Sequence, residues 1–288
     1  MHDRAERRIT PSGYSPTVTK RILAEVLTRL RKESGMTSAA VADALDWSPS
    51  KLTTIEKSTW VKPNSDDVAD LCELYGVEGA QRTRLLQLTK DARQRGWWRR
   101  HNDVFPNELP GFEAGAEHIR TYEVQFVPGL LQSPAYIEMG MHALGLDDDA
   151  GFERRLAARA ERQKIITRQD EPCLLHAVFE EGALLRLTDA AVRAEQLRAL
   201  LALGKRPNVT VQIIPQDRGI YEGVGEAFAH LAFPEQMYRD IVYLETSIDS
   251  RLLEETDETG QYLARFERIC EAALSPRATS AYLRRQVE

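Results

Sequence analysis

Two helix-start signals stand close together in this chain. Thr37 is a good N-cap for Ser38 to Leu45, and Ser48-Pro49 supplies an N-cap and a first-position proline for the segment Pro49 to Lys57. Two short helices joined only by Asp46-Trp47-Ser48 must turn sharply. Such a turn needs a residue at positive φ, which Asp46 tolerates, though less readily than glycine. Ala42 is small enough to let the second helix approach closely. Together these features are the signature of a helix-turn-helix.

The pair lies within continuous helical periodicity. Ile22, Leu23, Val26, Leu27 and Leu30 form one apolar stripe, and Val41, Ala42 and Leu45 the next. Leu52 and Ile55 follow, then Val68, Leu71, Leu74 and Tyr75, then Leu85, Leu86 and Leu88. The pattern predicts a mainly α, five-helix domain over residues 18–95, preceded by a flexible arm over residues 1–17 that lacks apolar periodicity.

Gly96-Trp97-Trp98-Arg99-Arg100 breaks the pattern, and Pro106, Pro110, Gly111 and Gly115 follow it. The boundary is placed there, with residues 96–288 as a second domain. Helices are expected from Ser133-Pro134 to near Gly145, from Asp148 to Arg168, from Asp189 to Leu203, from Thr256 to Leu274 and after Ser275-Pro276. Strands are expected at Cys173 to Phe179, Val209 to Ile213, Ala227 to Phe233 and Ile241 to Leu244. This mixture predicts an α+β domain with an antiparallel or mixed sheet.

The net charge of -6 is unevenly spread: residues 1–100 carry +5 and the remainder -11. A basic module on an acidic remainder suits a nucleic-acid-binding unit joined to a domain with another task. No apolar run is long enough to span a bilayer and the N-terminus has no apolar signal core, so a cytoplasmic protein with no membrane partner is expected. Cys72, Cys173 and Cys270 are far apart and read as buried thiols. No His, Cys or carboxylate spacing suggests a metal, and no cofactor motif occurs, since Gly223-Val224-Gly225 is too short for a phosphate loop.

Leu52 and Ile55 would pin the second motif helix to the core, leaving Ser50, Lys51, Thr53, Thr54 and Lys57 pointing elsewhere. In a nucleic-acid binder that face enters the major groove, with Lys51 on guanine and the hydroxyls completing base readout. Thr37, Ser38, Ser48 and Lys62 complete the expected contact set, with Arg31 and Lys32 as further phosphate candidates. Arg, Asn and Gln are absent from the outward face, so one half-site discriminates poorly and a homodimer on an inverted repeat is expected.

Residues Met36 to Leu45 and Ser48 to Lys57, with the Tyr75-Gly76-Val77 ending, resemble the Xre/Cro-type helix-turn-helix. Asp46 stands where that pattern has Gly, and Ser38 where it usually has Gln. Ile119-Arg120-Thr121-Tyr122-Glu123, Val127 to Ser133, Asn208 to Gln212 and Val242 to Glu245 are similar to the large C-terminal domain of actinomycete WhiJ-like, antitoxin-like regulators. The resemblance implies a DNA-binding transcriptional regulator, not an enzyme, controlled through its C-terminal domain by a small cognate protein. A small molecule sensed in that domain is the alternative. An enzyme using Glu180, Glu181 or Glu245 is the remaining rival, but adjacent carboxylates on a strand face opposite ways, which suits hydrogen-bonded or ion-paired roles better.

Overall fold

The computed structural model describes residues 15–105, 107–143, 145, 149–234, 238–246 and 249–287. Most of the expected N-terminal arm therefore lies outside the described residues. The chain divides into two compact units, Met1–Arg100 and His101–Glu288.

Among the described residues, the first unit holds five α-helices: α1 (Pro16–Glu33), α2 (Ser38–Ala44), α3 (Pro49–Glu56), α4 (Ser65–Leu74) and α5 (Gly79–Ala92). Helix α1 starts at Pro16, inside the stretch expected to be flexible, because Ser15 is its N-cap and accepts from the Val18 amide at 3.2 Å. Val18, Leu23, Leu27, Val41, Leu52, Val68 and Leu71 are fully buried and form the core. The apolar stripes are thus the inner faces of the helices, as their 3.6-residue spacing requires.

The second unit contains α6 (Leu109–Glu113), β1 (His118–Glu123), α7 (Pro134–Ala143), α8 (Asp149–Thr167), β2 (Leu174–Glu180), α9 (Gly182–Leu185) and α10 (Ala190–Leu203). Then come β3 (Val209–Ile214), β4 (Phe228–Ala232), β5 (Ile241–Glu245), β6 (Ser250–Leu253), α11 (Thr256–Ala272) and α12 (Pro276–Val287). The six strands form one mixed sheet in the order β3-β2-β1-β4-β5-β6. The β1·β2 and β2·β3 pairs are parallel, the other three antiparallel.

Strand β1 sits where the order reverses, with β2 and β3 on one side and β4 to β6 on the other. Tyr122, Val178, Ile214, Phe228, Val242 and Leu253 share one sheet face and pack against Phe266 and Ile269 of α11. Their burial stabilises this face of the sheet, while Phe112, Ile119, Leu131, Ile166 and Phe179 are fully buried elsewhere in the unit. Among the described residues, no helix is long and apolar enough to cross a membrane.

Candidate nucleic-acid interface

The turn between α2 and α3 has the predicted strain: Asp46 takes φ 52°. The Trp47 amide donates to the Ala42 carbonyl at 2.8 Å, closing the end of α2. Thr37 caps α2 by accepting from the Ala40 amide at 3.1 Å. Ser48 occupies the N-cap position of α3 but makes no side-chain cap bond; its hydroxyl lies 3.2 Å from that of Ser50.

Leu52 and Ile55 are buried and fix the inner face of α3. At about 3.6 residues per turn, Ser50, Thr53, Thr54 and Lys57 fall on the opposite side. Ser50, Thr53 and Lys57 are exposed and Thr54 half-buried. Thr54 Oγ1 donates to the Ser50 carbonyl at 2.8 Å, which leaves its lone pairs as acceptors. Thr37 is the reverse case, because its oxygen already accepts and its proton remains available to a phosphate. Lys62 and Lys32 are exposed, and Ser38 is half-buried at the start of α2.

Two residues on the flanks of α3 are tied down. Lys51 Nζ lies 2.8 Å from Asp67 Oδ1 of α4 and 3.9 Å from the centre of the Trp47 ring. Glu56 receives Arg31 of α1 through Nε at 2.5 Å and Nη2 at 3.1 Å. Arg31 also donates to the Met36 carbonyl at 2.9 Å, and the Glu56 hydrogen bond holds its guanidinium firmly charged. Arg31 is therefore not a free phosphate contact: its donors are committed to holding α1, α3 and the end of the α1–α2 turn. Lys51, expected to point outward, reaches sideways to Asp67 instead. Neither pair was visible in the sequence, where the partners are 16 and 25 residues apart.

In the second unit, Val127 to Ser133 forms a stapled turn. Buried Gln196 of α10 accepts from the Ser133 amide at 2.7 Å and donates to the Leu131 carbonyl at 2.8 Å. Glu180 accepts the hydroxyls of Tyr122 and Tyr221 at 2.9 and 2.6 Å, whereas Glu181 accepts the Gln216 amide and the Tyr282 hydroxyl. These neighbouring carboxylates serve separate networks. Among the described residues, no group of three or more His, Cys, Asp or Glu side chains is placed to hold a metal ion.

A capped short helix, a tight strained turn and a second short helix with a polar outer face define a helix-turn-helix module, which points to a DNA-binding regulator. The family described as Helix-turn-helix domain matches residues 22–85. The family described as Domain of unknown function (DUF5753) matches residues 107–285, and the chain belongs to it. No curated protein and no solved structure matches the chain.

Proposed function

We propose that the protein is a cytoplasmic, sequence-specific transcriptional regulator of the Xre type, which binds an inverted-repeat operator as a homodimer through α3. The observation that carries this reading is the mounting of α3. Buried Leu52 and Ile55 hold its inner face, ion pairs hold both flanks, and Ser50, Thr53, Thr54 and Lys57 are left on the outer side. Preorganised donors and acceptors on a rigid helix are what major-groove readout requires.

Ser50, Thr53, Thr54 and Lys57 are the base-facing set, and Thr37, Ser38, Ser48 and Lys62 the phosphate-facing set. Lys51 reaches guanine only by leaving Asp67. Sequencing DNA that co-precipitates with the full-length protein tests the reading. An inverted repeat with half-sites about 34 Å apart, or a multiple of that, is expected; recovery of random DNA would overturn it.

Control runs through the second unit. The resemblance to WhiJ-like regulators supports a small cognate protein as the signal. A second reading, a small molecule, is favoured by Glu123 and Arg159, half-buried charged side chains at one rim of the sheet that make one long hydrogen bond between them, from Arg159 to Gln132.

A further inference from the structure

The C-terminal ends of β1 and β5 point the same way, and their register places Glu123, Tyr243 and Glu245 on one sheet face. Thr121 pairs with Ala229 and Ala229 with Tyr243; Glu123 and Glu245 each lie two residues further along. Strand β1 is also where the strand order reverses. In open sheets with parallel strands, ligands bind outside the carboxyl ends of the strands at such a switch point.

Helix α8 brings two arginines to this rim. Arg162 makes a two-pronged bond to buried Glu113, at 2.6 and 2.7 Å, and this pair is complete in itself. Its charge also acts on Glu123 and Glu245. The pair links α8 to α6 and needs no ligand to explain it.

Two neighbouring groups are not satisfied in this way. Arg159 is half-buried, and its guanidinium makes one long bond, 3.3 Å, to Gln132 Oε1. Glu123 is half-buried too, and no hydrogen bond reaches its carboxyl among the described residues. Tyr243, 6% exposed, is not one of them, because its hydroxyl is held by the Ser250 side chain. Charged groups serving packing alone would be closely bonded to their neighbours, because a half-buried charge without a close partner gains nothing to offset its partial desolvation.

The groups at this rim carry both signs: a half-buried carboxyl at Glu123, an exposed one at Glu245 and the guanidinium of Arg159. We infer that this rim binds a small zwitterion of the amino-acid type, its ammonium group held by Glu123 and Glu245 and its acid group by Arg159. The inference rests on the small-molecule reading of the second unit. Burial and the nearby Glu245 push Glu123 up to about 7, so an arriving ammonium group displaces a proton from it.

Titration calorimetry on the full-length protein tests this, using each of the twenty standard L-amino acids singly, with 1,4-diaminobutane and acetate as half-ligands. At least one amino acid is expected to bind and to release protons near pH 6, read from the difference between two buffers. Affinity should fall at least tenfold in Arg159→Gln and Glu123→Gln. Glu245→Gln, at an exposed position, should weaken binding without affecting folding and so covers any failure of the first two variants to fold. The proposal is overturned if no amino acid binds the wild-type protein, if all folded variants bind unchanged, or if a half-ligand binds as tightly. Binding to co-precipitated DNA is measured in the same samples. An amino acid that binds without altering DNA affinity upholds the site and removes its role as a signal, whereas intact DNA binding with no amino-acid binding removes the site alone.

Discussion

Arg31 of α1 and Glu56 of α3 form a two-pronged ion pair whose side chains are only 13% and 14% exposed. Removing one partner strands the other in a poorly solvated place. Arg31→Ala is expected to destabilise the N-terminal unit by about 2 kcal/mol, in the range for charged hydrogen bonds. Replacing both, as Arg31→Met with Glu56→Leu, should recover much of that loss. Urea unfolding of the two variants checks both figures.

The outer face of α3 should separate recognition from stability. Ser50→Ala and Thr54→Ala are each expected to relax base preference at one operator position by about 1 kcal/mol, the lower end for a base contact, with little change in unfolding. Lys51→Ala should instead lower stability by about 0.5 kcal/mol, as for a partly exposed ion pair, and change operator preference through the loosened helix. Competition binding with single-base operator variants measures this; unchanged preference in Lys51→Ala and Thr54→Ala alike would remove α3 as the reading helix.

A row of basic side chains predicts acid lability in the C-terminal unit. His230, Arg120 and His176 lie in register across β4, β1 and β2, with His118 two residues from Arg120 on the same strand face. Burial first, then Arg120, pushes His118 and His230 down to about 4; burial likewise lowers His176. Because their folded values lie below the ordinary 6.5, the neutral rings contribute stability above pH 6.5, and that contribution is lost as pH falls towards 4. For His230, whose side chain is 1% exposed, Asp240 at 3.3 Å from Nε2 offsets part of that loss, so the net effect is expected to be about 1 to 2 kcal/mol.

Glu123 works in the opposite sense. Its raised value gives a contribution present below pH 4.5 that disappears as pH climbs to about 7. The histidine effect is therefore best read in a Glu123→Gln background, by denaturant unfolding at pH 7 and pH 5 with and without His230→Gln. Equal acid sensitivity in the two proteins would count against the assignment.

Gly223 takes φ 103°, and a Cβ there would meet Ile269 Cγ1 at 2.8 Å. Gly223→Ala is expected to cost about 2 kcal/mol through backbone strain and displacement of a fully buried α11 side chain. Thermal unfolding should show it as a fall in Tm, whereas Gly140→Ala, in open space within α7, should leave Tm unchanged or raise it.

Local signals made the helices readable. Caps at Thr37 and Ser48-Pro49 mark starts that the structure places within a residue, the helix expected from Asp189 begins at Ala190 with Asp189 as its cap, and the strain at Asp46 follows from the shortness of its turn. Strand β1 escaped strand assignment because His118, Arg120 and Thr121 make the run look polar, although Ile119 and Tyr122 are buried. Strand β6 is four residues long, too short to show alternation. Pairings between distant residues, such as Lys51 with Asp67 or Arg162 with Glu113, depend on how elements cross and leave no mark on local spacing. For that reason the outer face of α3 was legible while its flanking supports were not.

The segment between α11 and α12 returns to the outer edge of β3. The Leu274 amide donates to the Ile213 carbonyl at 2.9 Å, and the Ile213 amide to Thr279 Oγ1 at 3.3 Å. The chain thus occupies part of the edge that an incoming strand would need. Two molecules do not merge their sheets through β3 without first unfastening the carboxyl-terminal helix, which guards this flank against runaway strand addition.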